Sequence, residues 1–239
     1  MSNFHANLAL TKTVLNHITD SYLPAVFASS LAAEDMVLTD LILKGQLPIS
    51  IFTLDTGRLH TETLEMVARI RETYGADISV YAPSAESVSA YIRQHGMNGF
   101  YDSVDARKEC CRIRKVLPLQ RALTGSKAWI TGQRRLQAAT RAELAVQEFD
   151  TAHGIAKFNP LADWSAEDIW QYLRTNSVPY NPLHDHGYPS IGCEPCTRAI
   201  QPGESIRAGR WWWEEPGTKE CGLHLVDGKL VRTRHMKQL

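Results

Sequence analysis

Short apolar and β-branched runs alternate with longer helical patterns through the first two thirds of this chain, and that alternation restricts the fold more than any other feature. Residues 25–28, 49–54, 77–82, 128–131 and 155–158 read as strands, several of them apolar throughout. Strands with no polar face must be covered on both sides, so the expected fold is α/β, a mostly parallel sheet with helices on both faces. Helical periodicity fills the gaps at 34–43, 61–74, 86–95 and 111–123, and Ser165-Ala166-Glu167-Asp168 opens a further helix as a capping box. Each strand-to-strand crossover is then right-handed.

From Ser177 the texture changes. Pro179, Pro182, Pro189, Pro195, Pro202 and Pro216 alternate with glycines, which predicts irregular structure, and long irregular segments in compact proteins usually carry function. We divide the chain into an α/β domain at 1–204 and a mobile C-terminal tail at 205–239. With 239 residues, 44% of them hydrophobic, the chain can bury its own core. Its 26 Lys and Arg balance 26 Asp and Glu, so no field of one sign favours nucleic acid or an anionic membrane as partner. The apolar runs fall short of the roughly 20 residues needed to cross a bilayer. No basic region followed by an apolar stretch opens the sequence, so a cytoplasmic location is expected; homo-oligomerisation stays open.

Five cysteines in such a chain argue for metal or redox chemistry over a disulfide framework. Cys110 and Cys111 are adjacent, and Cys193-Glu194-Pro195-Cys196 supplies a second tight pair. As plain core residues and a redox CxxC they would be unremarked, yet the vicinal pair sits among Arg107, Lys108, Glu109, Arg112 and Arg114, a poor core context. One site of four thiolates fits better. Neighbouring side chains diverge and converge poorly on two corners of a single tetrahedral ion, so a [4Fe-4S] cluster is preferred, with zinc as the alternative.

The fifth cysteine, Cys221, has Lys219 two residues before it and His224 three residues after it, both able to stabilise a thiolate, so a nucleophilic role is expected. Gly217 and Gly222 flank it and would let the tail fold over a bound substrate.

Three loops could hold an anion: Ser29 to Asp35 after the first strand, Leu54-Asp55-Thr56-Gly57 after the second, and Thr131 to Arg135 with Arg141 after the fourth. Each also has a plain reading, as an N-cap, a turn or a solvated basic face. Together they would meet at one sheet edge, where one nucleotide could touch all three. Arg207 and Arg210 could carry two further anion-binding forks beside the thiol, with Trp211-Trp212-Trp213 read as a docking surface.

The ordered motifs Leu54-Asp-Thr-Gly57, Lys108-Glu-Cys-Cys-Arg112, Ile130-Thr-Gly-Gln-Arg-Arg135, Asn159-Pro-Leu-Ala-Asp-Trp164, Val178-Pro-Tyr-Asn-Pro-Leu-His184, Gly192-Cys-Glu-Pro-Cys-Thr197, Gly209-Arg-Trp-Trp-Trp-Glu214 and Glu220-Cys-Gly-Leu-His224 resemble those of the assimilatory sulfonucleotide reductases, in their iron–sulfur form. The resemblance covers nearly the whole chain. It implies an adenine-nucleotide α-hydrolase-like fold, reduction of adenosine 5′-phosphosulfate to sulfite and AMP, and thioredoxin or glutaredoxin as reductant. It places a [4Fe-4S] cluster on Cys110, Cys111, Cys193 and Cys196, and nucleotide binding on Ser29, Ser30, Leu54, Gly57, Gly132 and Arg141. Lys115, Arg207, Arg210 and His224 would hold the phosphosulfate. Lys115 would share a helix begun by Cys110 and Cys111, one turn past the pair. Cys221 would attack sulfur and form an S-sulfonate that the reductant resolves, while the cluster tunes the site without donating electrons.

The rivals are a reductase of the 3′-phosphorylated substrate, a cluster-bearing ATP pyrophosphatase that thiolates tRNA, and a metal-binding RNA module using Arg134, Arg135 and Arg141. The first loop lacks the glycine pair and following serine of the pyrophosphatases, and zero net charge with Cys221 argues against the RNA module. Four cysteines favour the unphosphorylated substrate by family resemblance.

Overall fold

The computed structural model describes residues 3–215. Strands β1 (Ala25–Ser29), β2 (Ile49–Leu54), β3 (Ser79–Tyr81), β4 (Ala128–Ile130), β5 (Gln147–Asp150) and β6 (Ile155–Phe158) form one sheet. Its order is β3-β2-β1-β4-β6-β5, and every neighbouring pair is parallel except β5 with β6. The five strands read from the sequence all form. The first is one residue longer than expected, the third runs only over Ser79–Tyr81, and the fourth stops at Ile130.

Alternate side chains of β1 explain why both faces are covered. Ala25 and Phe27 enter the larger core with Met36, Val37 and Leu41 of α2 (Ala33–Lys44). Val26 and Ala28 face a second core of Phe52, Leu119, Leu123 and Trp129. Helices α3 (Thr61–Tyr74) and α4 (Ala85–His95) follow β2 and β3 as the periodicity indicates. Gly75 ends α3 at φ 63°, a left-handed cap that costs glycine nothing. Helix α7 (Ala166–Thr175) opens on the expected capping box, Ser165 and Asp168 exchanging hydrogen bonds at 3.0 Å. Losing such a cap costs about 1 kcal/mol.

Three elements depart from the sequence expectation. Helix α1 (Phe4–Ser21) was not anticipated; it docks through Leu15, Ile18 and Thr11, whose hydroxyl donates to Pro160 O and accepts from Trp164 Nε1. Strand β5 is an edge strand of mixed polarity, Gln-Glu-Phe-Asp, which sequence pattern does not distinguish from a loop. The helix expected to begin at the vicinal cysteines instead begins earlier, as α5 (Val104–Cys111), because Ser103 Oγ accepts from Ala106 N at 3.1 Å and fixes the start. Cys110 and Cys111 therefore close α5. A π turn at Arg112–Val116 follows, with Leu117 N–H donating to the Arg112 carbonyl five residues back, and α6 (Leu117–Leu123) continues from it. No helix among the described residues is long and apolar enough to cross a membrane.

Candidate active site

The strand order reverses direction between β1 and β4, and in open parallel sheets ligands bind at the carboxyl ends of strands beside such a switch. A cavity of about 250 Å³ opens there. Its walls bring together Ser29 at the end of β1 and Ser30 just after it, Leu54 at the end of β2, and Gly132 and Arg141 after β4, with Lys115, Arg207 and Arg210 on the remaining side. Gly57 does not line it. Gly57 takes φ 67° in a turn where its N–H donates to Asp55 Oδ1 at 2.8 Å, and a Cβ there would stand 3.4 Å from Arg114 Nη1. Cys221 and His224 lie outside the described residues.

Two arginines of the third loop do not face the cavity. Arg134 is buried against Glu34 at 2.8 Å, and Arg135 pairs with Asp163 and donates to Leu144 O. Both are consumed in holding the loop to neighbouring elements, which sequence spacing could not reveal. Glu34, in turn, is held below the usual carboxylate range by Arg134 against the upward push of its burial.

Asp35, in the first turn of α2, organises the floor. Its Oδ2 accepts from both the N–H and the hydroxyl of Ser30. Burial pushes its carboxyl up to about 6, against the hydrogen bonds that favour the charged form. Leu31, fully buried, takes φ 62° in the same turn, so the β1 loop is a tight, strained bend. At the start of α2 the Ala33 N–H donates to His184 Nε2 at 3.1 Å; burial lowers the His184 pKa, which keeps that nitrogen an acceptor.

Beside this cavity lies a smaller one lined by Cys110, Cys111, Cys193 and Cys196 with Arg107, Arg114 and Lys115. Lys115 and Cys193 belong to both walls. The π turn is what carries Lys115 from the cysteine pair to the cavity rim; such turns widen a helix locally and recur at functional sites. Cys193 is seated by Leu59, which it faces across an isolated bridge, and by Thr56, whose Oγ1 lies 3.2 Å from its Sγ. Burial and the neighbouring Cys193 push the Cys196 thiol up to about 12. Among the described residues no three His, Cys, Asp or Glu side chains are set to hold a single metal ion. Four thiols around one cavity, with cations at its rim, are a donor set suited to a group larger than one ion.

The segment after the cysteines folds back on them. Thr197 bridges to Arg210, Trp211 N donates to Cys196 O at 3.0 Å, and Arg210 Nη1 reaches Ser190 Oγ and Ile191 O. Gly192 permits this approach, because a Cβ there would lie 2.6 Å from Arg210 Nη2. Of the three tryptophans, Trp211 is buried under the guanidinium groups of Arg107 and Arg210, while Trp212 is 40% exposed.

Residues 24–199, which hold the sheet and all four of these cysteines, match the phosphoadenosine phosphosulfate reductase domain. The chain belongs to that family. It is 62% identical over 200 residues to the adenosine 5′-phosphosulfate reductase of Burkholderia cepacia, covering 84% of this chain and 80% of the relative. It is 60% identical over 199 residues to the enzyme of the same name from Allochromatium vinosum, covering 83% and 78%. The crystal structure of phosphoadenylyl-sulfate reductase from Candida auris superposes with a TM-score of 0.68 at 28% identity, over 82% of this chain and 95% of that one. The FMN adenylyltransferase of Candida glabrata shares the fold at a TM-score of 0.57 and 16% identity, over 94% and 79%.

Proposed function

We propose that the chain reduces adenosine 5′-phosphosulfate to sulfite and AMP in sulfate assimilation, in the cytoplasm. The observation that carries this reading is the shared wall: Lys115 and Cys193 line both the switch-point cavity and the cysteine lobe. Relatives at 60–62% identity named adenosine 5′-phosphosulfate reductase favour the unphosphorylated substrate over its 3′-phosphate.

In this reading Ser29, Ser30, Leu54 and Gly132 receive the nucleoside, Gly57 sets the turn beneath it, and Arg141 closes the rim. Lys115, Arg207 and Arg210, with His224, hold the phosphosulfate and face the negative charge that develops on the departing phosphate. The Cys221 thiolate attacks sulfur, the bond between sulfur and the bridging phosphate oxygen breaks, and AMP departs with that electron pair. A dithiol of thioredoxin or glutaredoxin then attacks Cys221 Sγ. The Sγ–sulfonate bond breaks, sulfite leaves, and the second thiol closes the reductant's disulfide, which regenerates the Cys221 thiol and accounts for both electrons. Cys110, Cys111, Cys193 and Cys196 would hold a [4Fe-4S] cluster; when bound, it supplies an electrostatic environment to the site, not electrons.

Intact-protein mass spectrometry after anaerobic incubation with adenosine 5′-phosphosulfate, without reductant, tests the first step. An added SO3 on Cys221, absent in Cys221→Ser and released as sulfite by thioredoxin, is the expected result. An unmodified Cys221 in iron-loaded protein would remove the reading.

A further inference from the structure

Trp211 adopts φ 41°, a left-handed conformation rarely taken by a bulky side chain, yet it is only 1% exposed. Strain of this kind persists only where the surroundings enforce it. The enforcing contact is close by. Glu214 N donates to Trp211 O at 2.9 Å, and the Glu214 carboxylate receives both Nε and Nη2 of Arg107 at 2.7 and 2.8 Å. Arg107 and Glu214 are 0% and 4% exposed. The Arg107 guanidinium also lies 4.7 Å from the centre of the Trp211 ring. Arg107 stands on α5, one turn before Cys110 and Cys111.

A buried fork is weak as a source of net stability, because desolvation offsets most of its attraction; its worth lies in fixing one register. Cys221 lies seven residues beyond Glu214 in the sequence. Seven residues span at most about 25 Å, so where Glu214 is held bounds where the thiol can be. A fixed end confines the positions open to a residue seven places further on, and so can raise its effective concentration at a nearby site without touching substrate.

We propose that Arg107 and Glu214 are a positioning pair, fixing the base of the Cys221-bearing segment to the helix that ends in Cys110 and Cys111, so that the cysteine lobe and the nucleophile share one register. This rests on the reading of Cys221 as nucleophile.

The test uses full-length, iron-loaded protein with Glu214→Gln, and Glu214→Asp as the variant that keeps the charge. Amide hydrogen exchange at Trp211 and Glu214 should quicken by at least about tenfold in Glu214→Gln, as expected for loss of a local anchor. The single-turnover rate of Cys221 sulfonation should fall by at least about tenfold while AMP affinity and iron per chain stay within about twofold, and Glu214→Asp should recover most of the rate. Unchanged exchange or an unchanged adduct rate in Glu214→Gln would overturn the proposal. So would parallel loss of iron and AMP affinity in both variants, which would make the pair a simple brace of the lobe. If Glu214→Gln yields no folded protein, Arg107→Lys, which keeps the charge and loses the fork, carries the same expectations. If wild-type protein binds AMP but forms no adduct, the nucleophile reading fails, and the exchange rates alone decide the anchor.

Discussion

The Asp35 carboxylate occupies the space a side chain at Gly132 would need: a Cβ built on Gly132 falls 2.0 Å from Asp35 Oδ1. The absence of a single methyl group thus lets the loop after β4 close onto the first turn of α2, and Asp35 holds Ser30 of the loop after β1 in the same stroke. Gly132→Ala should push Asp35 off Ser30 and weaken AMP binding by at least about tenfold, since such an overlap must be relieved by moving one loop. Isothermal titration with AMP reads this directly, and an affinity within twofold of wild type would show that the loops are not coupled.

The same carboxyl makes a prediction in pH. Its folded pKa is raised to about 6 from 3.8, so the native state holds a proton that the unfolded chain has lost. Stability from this group is therefore complete below the unfolded value and declines as pH rises through the window from about 4 to 6. A two-unit shift corresponds to roughly 3 kcal/mol. Asp35→Asn, which cannot titrate, should flatten that part of the urea-denaturation profile between pH 4.5 and 7. A profile identical to wild type would place the effect elsewhere.

Arg210 serves two surfaces at once, with its guanidinium bonded to Ser190 and Ile191 and stacked 4.6 Å from the centre of the Trp211 ring. A lysine keeps the charge and loses the fork and the stacking. If Arg210 faces the sulfonate, Arg210→Lys should weaken adenosine 5′-phosphosulfate binding by about tenfold or more and leave AMP within about threefold, a loss typical of a charge-assisted hydrogen bond. Equal losses for the two nucleotides would make Arg210 a support of the Ser190–Ile191 loop instead.

Where the sequence was legible, a single local rule governed the outcome. The apolar runs of β1 and β4 had no polar face, so only burial in a covered parallel sheet could satisfy them, and the capping box at Ser165 had one meaning. The loops that line the cavity were legible because they follow those strands. What was hidden depended on distant partners. For Arg134 and Arg135 the sequence leaves an anion site and a solvated face equally open, and their pairing with Glu34 and Asp163 is visible only in the fold. Strand β5 is defined by pairing with β6, and α1 by the pocket that Thr11 shares with Trp164 and Pro160. Neither leaves a strong periodic trace. The Arg107–Glu214 fork joins residues 107 positions apart, beyond any local signal.

The π turn was equally invisible, and it supplies the sharpest geometric test. A π turn behaves as one residue inserted into an α-helix, and each residue turns the helix by about 100°. Between the cysteine pair and Lys115, that extra residue sets how the thiols are oriented relative to the cation that the two cavities share. Arg112 is the member to remove, because its side chain is half exposed and its ion pair with Glu109 is a surface pair, worth about 0.5 kcal/mol. Deleting Arg112 should restore an uninterrupted α-helix and rotate Cys110 and Cys111 away from Cys193 and Cys196. If the four thiols hold the proposed cluster, iron per chain should then fall to below about a tenth of the wild-type value, the loss expected when two of four ligands leave a site. AMP should still bind, because the loops after β1, β2 and β4 belong to the sheet and not to this helix. Normal iron content in the deletion variant would show that the π turn can be dispensed with, and that the thiols reach their common cavity by another route.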